Sequence, residues 1–276
     1  MTIHMKDFYS IMTNRSEMVL GTEVMKRLSK TRIAIFGVGG VGGWCAESLI
    51  RTGITDLTLV DSDIVCPSNI NRQIQATALN IGRSKVEQIR KRLLEINPEA
   101  KITARQETFN ETTGAGFDLP SFDYVIDAID SLENKVHLIE QCVRSGVKFF
   151  SSMGAAAKTD PAKIKSGLLS TTTNCPLARE VRKNLRKKKV TTDIVCVYSD
   201  EPPVDPAIEP VDEAGEYACA NDMESSGEKT GDTSSDSRLK KKRVNGSLVH
   251  VTAIFGFMLA GLIINDLWKS VHFQKR

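Results

Sequence analysis

Alternating strand and helix signals predict an α/β fold for this chain, with a doubly wound and mostly parallel sheet. Three observations carry that expectation. The β-rich run Arg32-Ile33-Ala34-Ile35-Phe36 leads directly into a glycine-rich turn and then a helix reaching about Ile50. A second strand, Asp56-Leu57-Thr58-Leu59-Val60, ends at an acid, Asp61. After Gly82, apolar positions recur at Val86, Ile89, Leu93 and Ile96, close to helical spacing, and Asn97-Pro98 stops that helix.

The remaining elements follow in order. Strands are expected at 101–104 and 124–126, a helix over 131–144 and a strand at 147–150. This succession is Rossmann-like. Residues 156–276 read as a C-terminal elaboration of the same domain. It holds a basic helix over 176–189, a strand over 191–198 and an extended, Pro- and acid-rich loop over 200–210. Segment 221–237 is poor in apolar residues and reads as a mobile loop, and an apolar helix closes the chain.

Composition sets the outer bounds. At 276 residues and 41% hydrophobic, the chain fits one large domain with a sizeable core. A net charge of +3 says little, so local clusters matter more. The six cysteines form no C-x-x-C pair and no disulfide framework, and the start lacks a basic segment followed by an apolar one. The expectation is a reduced, cytoplasmic protein. Residues 248–264 contain no Lys, Arg, Asp or Glu, and about 17 such residues reach the lower edge of a membrane span. His250 and Thr252 interrupt the run and a folded domain precedes it, so a buried or dimer-interface helix is preferred over membrane contact.

The chemistry starts at Gly37-Val38-Gly39-Gly40-Val41-Gly42, set between strand and helix. Glycine permits a tight turn and lets a polyphosphate approach the helix N-terminal amides. Asp61 stands at the usual offset for an acid that binds ribose hydroxyls. These features alone fit a nicotinamide-dependent oxidoreductase, or a silent dinucleotide-binding module, as well as an ATP user. The next segment separates them. Asp61-Ser62-Asp63-Ile64-Val65-Cys66-Pro67-Ser68-Asn69-Ile70-Asn71-Arg72-Gln73 is polar and cationic where a dehydrogenase continues its alternating pattern, and Lys85 opens the following helix. Arg72 and Lys85 suit phosphate oxygens approached from two sides and charge developing at a scissile α-phosphate. Either cation taken singly is an ordinary surface residue; with the glycine loop they favour a nucleoside triphosphate.

Taken in order, residues 37–42, Asp61, Ser68-Asn69-x-x-Arg72-Gln73, Lys85 and Asp127-Ala128-Ile129-Asp130 resemble the adenylation core of the ubiquitin-activating-enzyme-like superfamily. The resemblance covers about residues 15–155 and implies ATP and Mg²⁺. On it, Gly37, Gly39, Gly40 and Gly42 cradle the nucleotide and Asp61 binds ribose. Asn69, Arg72, Gln73 and Lys85 hold phosphates, and Asp130 sits near Mg²⁺ and the α-phosphate. Asp127 is either an alternative to Asp130 or a strand-end acid. Arg15, in Asn14-Arg15-Ser16-Glu17, resembles the arginine supplied across a homodimer.

The sulfur-carrier-activating branch of that superfamily usually binds structural zinc through two C-x-x-C pairs, and this sequence has neither. It offers no clear acceptor cysteine; Cys175 and Cys219 qualify only by standing in expected loops. Another branch matches the second half. Gly154-Ala155-Ala156, Asp160-Pro161, Pro176-Leu177-Ala178-Arg179-x-x-Arg182, Val197-Tyr198-Ser199-Asp200-Glu201-Pro202 and Gly246-Ser247 are similar to the tRNA threonylcarbamoyladenosine dehydratase family. That resemblance implies adenylation of a carboxylate on modified tRNA and intramolecular closure to a cyclic form. It also allows a monovalent cation and a sulfur-transfer partner. The basic helix and Lys240-Lys241-Lys242-Arg243 are candidates for tRNA phosphates, although a charge run is usually a solvated face. The rival enzyme reading is an adenylyltransferase for the C-terminal glycine of a ubiquitin-like carrier protein.

Overall fold

A computed structural model describes residues 5–208 and 246–273. The expectations for 221–237, for Cys219 and for the Lys240–Arg243 cluster lie outside the described residues. The strands are β1 (Arg32–Phe36), β2 (Asp56–Val60), β3 (Lys101–Arg105), β4 (Tyr124–Asp127), β5 (Lys148–Ser152), β6 (Ile164–Leu168) and β7 (Val195–Ser199). The helices are α1 (Met5–Leu20), α2 (Thr22–Leu28), α3 (Gly42–Thr52), α4 (Lys85–Ile96), α5 (Leu132–Ser145), α6 (Pro176–Lys187) and α7 (Val249–Phe273).

The strands make one seven-stranded sheet, ordered β3-β2-β1-β4-β5-β7-β6. Every neighbouring pair is parallel except β6 with β7. The chain winds outward from β1 to β3, then crosses back to β4 on the other side of β1. That reversal creates a crevice at the carboxyl ends of β1 and β4, where open α/β sheets bind ligands.

Alternation along β1 explains why both faces are covered. Ile33 and Ile35 enter the core shared with α3, α4 and α7, whereas Ala34 and Phe36 join Phe109, Phe117 and Leu138 on the other face. Phe36, Phe109 and Phe117 meet edge-on, with ring centroids 4.9–5.4 Å apart. A third cluster seats Val181 and Leu185 of α6 against Ile139 of α5 and Cys196 of β7.

The closing apolar helix is a body helix. By length and composition α7 could cross a membrane, yet Val251, Phe255, Leu259, Ile263 and Leu267 are buried in the main core. Its tightest approach is at Gly256, where a Cβ would lie 2.5 Å from Val41 O and 2.8 Å from Cys45 N. Glycine is required there because α7 meets backbone of the turn and first coil of α3.

Three elements differ from expectation. α1 and α2 precede the first expected strand; in α1, Ile11, Met18 and Val19 are exposed, so no clean apolar stripe marks the helix in sequence. β6, Ile-Lys-Ser-Gly-Leu, is a mostly exposed edge strand that owes its place to antiparallel pairing with β7. The strand expected from 191 begins at Val195, because Asp193 Oδ1 takes the amides of Ser170 and Ile194 and holds the preceding residues out of the ladder.

Candidate nucleotide-binding site

The glycine loop leaves β1 through a turn only glycine accommodates. Gly37 has φ 87°, and a Cβ there would lie 2.6 Å from Ala128 O. Gly42 is constrained from the opposite side, since its Cβ would fall 1.8 Å from Gly37 O. The loop is tied to β2 by Gly37 N to Val60 O at 2.8 Å. It thus brings the amino end of α3 against the crevice, with the helix dipole favouring an anion. Gly39 and Gly40 face Gln73 Nε2 and Arg72 Cγ, which would lie 3.7 and 3.3 Å from added Cβ atoms.

Asp61 sits on the neighbouring strand end. Its Oδ2 accepts from Val38 N at 2.8 Å and its Oδ1 from Asp63 N at 2.9 Å, so it anchors the glycine loop and the loop after β2 together. Burial raises its carboxyl above the usual carboxylate range, against the opposing pull of Lys85 and with a further push from Asp63. Lys85, the first residue of α4, pairs with Asp63 Oδ2 at 2.7 Å.

Between them, the loop after β2 is held by its own polar side chains. Asn69 Oδ1 accepts from Cys66 N at 3.1 Å, while Asn69 O receives Arg72 N at 3.1 Å and Gln73 N at 2.9 Å. Asn69 is therefore the pivot of the turn that presents Arg72 and Gln73. Arg72 Nη1 donates to Ser68 O at 2.7 Å and to Asn71 Oδ1 at 2.9 Å, and Arg72 O receives Trp44 Nε1 at 3.1 Å. Gln75, which carries no motif signal in the sequence, donates through Nε2 to Val38 O at 2.7 Å and to Gln73 Oε1 at 3.2 Å.

The acids after β4 divide cleanly. Asp127 is fully buried and receives Lys135 Nζ, Ser151 Oγ and Ile129 N, surroundings that suit the strand-end alternative. Asp130 is exposed, two residues beyond Ala128, which packs on Gly37. Lys135 and Ser151 were not anticipated; the signal was a lone lysine among the apolar helical positions Leu132, Val136 and Ile139.

Arg15 lies on α1, which packs at the end of α3 away from the glycine loop. On the same helix, Tyr9 Oη donates to Gly53 O at 2.7 Å and Thr13 packs on Gly53, at the carboxyl end of α3. The glycine loop lies at the other end of that 11-residue helix, about 16 Å away.

The C-terminal half closes the rim. Asn71 Nδ2 donates to Ser247 O at 3.0 Å, and Thr252 stands 3.3 Å from a Cβ built on Gly40. Ala157 N donates to Gly246 O at 2.8 Å, and Lys158, buried, donates to Asn174 O and Glu201 O. The Glu201 carboxylate takes the amides of Thr159 and Asp160.

No thiol is set up for catalysis among the described residues. Cys45, Cys142, Cys175 and Cys196 are free and buried; burial pushes the Cys196 thiol up to about 12 and raises those of Cys45 and Cys142 as well. Cys175 caps α6 rather than lying in an open loop, its sulfur accepting from Ala178 N at 3.5 Å.

These residues suit a nucleoside triphosphate. The loop has no room for side chains at Gly37 and Gly42, Arg72 lies beside Gly40, and the amino end of α3 opens onto it. No cluster of three metal-ligating side chains occurs among the described residues. Mg²⁺ held partly by phosphates needs only one or two protein carboxylates, and Asp130 is an exposed carboxylate beyond β4.

Comparison with known proteins gives the chain's relatives. The ThiF family model matches residues 13–273. The tRNA threonylcarbamoyladenosine dehydratase of Bacillus subtilis (strain 168) is 32% identical over 263 residues, covering 95% of this chain and 96% of that protein. The enzyme of the same name from Escherichia coli (strain K12) is 34% identical over 245 residues, 86% of each chain. The structure of E. coli TcdA in complex with ATP superposes with a TM-score of 0.80 at 28% identity, covering 99% of this chain and 100% of the other. The chain belongs to the ThiF family.

Proposed function

We propose that this chain is an ATP-dependent tRNA threonylcarbamoyladenosine dehydratase, which cyclises the threonylcarbamoyl side chain next to the anticodon. The observation that carries the reading is similarity over 95% of the chain to a dehydratase of that name, which takes in the C-terminal half as well as the nucleotide core. The rival reading, adenylation of a ubiquitin-like carrier, draws on the core alone.

ATP supplies the leaving group that a carboxylate lacks, and the neighbouring carbamoyl group then closes the ring without an enzyme nucleophile. In this reading the amides at the start of α3 receive the polyphosphate, and Asp61 takes the ribose hydroxyls. Arg72 and Lys85 draw charge off the α-phosphate from two sides, with Asn69 and Gln73 shaping the loop between them. Asp130 provides the carboxylate for Mg²⁺. The buried thiols fit a route with no covalent enzyme intermediate.

Arg15 completes the site of a second copy in a homodimer. The packing of α1 at the carboxyl end of α3, away from the glycine loop, and the exposure of Ile11, Met18 and Val19 on the same helix favour that arrangement. The proposed place of action is the cytoplasm, with α7 serving as a body helix.

The test is to incubate the chain with ATP and tRNA bearing threonylcarbamoyladenosine, then to analyse nucleosides by mass spectrometry. Loss of one water from the modified nucleoside is expected. Unaltered nucleoside, with pyrophosphate exchange that depends on a carrier's terminal glycine, would move the assignment to the rival.

A further inference from the structure

Two fully buried charges lie directly behind the candidate site. Lys135 Nζ and Asp127 Oδ2 are 2.7 Å apart, and neither side chain has any exposed surface. The pair ties three elements together. Asp127 ends β4, where it is the register partner of Phe36 in β1 and of Ser151 in β5. Ser151 Oγ donates to Asp127 Oδ2 at 2.5 Å, and Lys135, in the first turn of α5, donates to Ser152 O at 2.9 Å. Asp127 Oδ1 then accepts Ile129 N at 3.1 Å.

Fold stability alone does not account for such a pair. Two charges taken out of water recover their desolvation cost only with excellent geometry, and well-packed apolar residues often hold the same space as firmly. What the ions add is direction. A carboxylate fixed by Lys135 and Ser151 points its other oxygen at Ile129 N and bends the chain immediately past β4. At that bend Ala128 N donates to Phe36 O at 2.8 Å, and Ala128 O blocks any side chain at Gly37. Asp130 emerges exposed on the next residue but one.

We propose that Lys135 is a positioning residue for the adenylation step: acting through Asp127, it sets the 128–130 turn that floors the glycine loop and places Asp130. The inference rests on the role given to Asp130 above, and the experiment separates the two. A displacement of about 1 Å at such a position costs on the order of 100-fold in rate, whereas ground-state nucleotide binding through the glycine loop is spared.

The full chain is compared with a double variant, Asp127→Asn with Lys135→Met, which removes both charges and keeps volume. Ser151→Ala is a milder second variant that removes one donor only. Thermal unfolding, ATP affinity, kcat per folded enzyme and amide exchange of the 128–131 backbone are measured on each. The double variant is expected to keep ATP affinity within about 3-fold while kcat falls at least about 10-fold. Exchange at 128–131 is expected to quicken about 10-fold while the β1 and β5 backbone keeps its protection. Ser151→Ala shifts kcat and exchange the same way by smaller factors, and decides the matter if the double variant does not fold.

Wild-type exchange at 128–131 with wild-type kcat overturns the proposal. So does a general loss of protection with unchanged kcat per folded molecule, which would make the pair purely structural. Asp130→Ala is run alongside. Normal turnover in that variant removes the role of Asp130, while the exchange measurement still reports whether Lys135 orders the turn.

Discussion

Lys85 Nζ lies 2.7 Å from Asp63 Oδ2, with the lysine side chain 8% exposed and the acid 46% exposed. The lysine is thus held in place by an acid that keeps much of its own hydration, and a phosphate entering the crevice can share the ammonium. Lys85→Ala should therefore lower ATP-dependent turnover by about 100-fold, as loss of a preorganised cation at a charge-developing centre does. Folding should survive, because Asp63 remains solvated. Arg72→Ala should lose turnover similarly. AMP release with modified tRNA, together with thermal unfolding of each variant, is the check; near-normal turnover in either variant would strike that cation from the phosphate role.

Two glycines of α7 should respond to the same substitution with opposite signs. A Cβ at Gly256 meets Val41 O at 2.5 Å and Cys45 N at 2.8 Å, both in backbone that cannot swing away. Gly256→Ala should cost about 1–3 kcal/mol by overpacking, and it should weaken nucleotide binding because Val41 belongs to the glycine loop. Gly261 has nothing within 4 Å of a built Cβ and is exposed. Gly261→Ala should stabilise by about 0.5–1 kcal/mol through helix propensity alone. Thermal unfolding of the two variants settles whether α7 is seated on α3 as described.

Glu47 gives a pH-dependent test. Burial pushes its carboxyl up, but hydrogen bonds from Arg92, at 2.5 Å, and from Arg51, at 2.9 Å, outweigh burial and leave it below the usual range. A depressed folded-state pKa means the contribution is present above the ordinary glutamate range and is lost as pH falls through the lower, folded value. Glu47→Gln should thus cost about 1–3 kcal/mol at neutral pH, with the difference from the parent chain shrinking below about pH 4. Urea midpoints at several pH values would show it; a difference independent of pH would remove the ion pairs as its cause.

The parts legible in sequence were those where local chemistry and tertiary role coincide. The glycine loop, Asp61, and Arg72 with Lys85 each announce themselves because a turn, a strand end or a helix start demands the residue type found there. The doubly wound order followed from the same alternation. What escaped depends on partners distant in sequence. β6 is a strand only because β7 lies beside it, and its Lys-Ser-Gly centre has no strand signal of its own. Asp127 was placed at the right strand end, but its role turns on Lys135 and on Ser151, 24 residues later, which only the β4–β5 register brings together. Gly256 was invisible for the same reason, since an isolated glycine in an apolar run does not reveal the backbone it will meet.

The basic face of α6 divides into cations with structural work and cations facing solvent. Arg182 Nη1 donates to Leu169 O at 3.0 Å and Thr172 O at 3.1 Å, and to the Thr172 hydroxyl, clamping the turn after β6. Lys188 bonds Glu140 at 2.8 Å, and Arg179 and Lys183 each approach Glu180 at 3.6 Å. Arg186 and Lys187 are exposed on the side away from buried Ala178, Val181 and Leu185. The start of α6 packs on Gly154, just past the carboxyl end of β5. A tRNA reaching the site with its anticodon would lay backbone along the basic face of α6. Arg186→Ala with Lys187→Ala should weaken tRNA binding and reduce the salt slope of log K by about 1–2, roughly one unit for each phosphate left without its cation. Arg182→Ala should instead lower thermal stability and leave that slope alone. Binding titrations at three salt concentrations distinguish these outcomes, and an unchanged slope in the double variant would move the tRNA to another face.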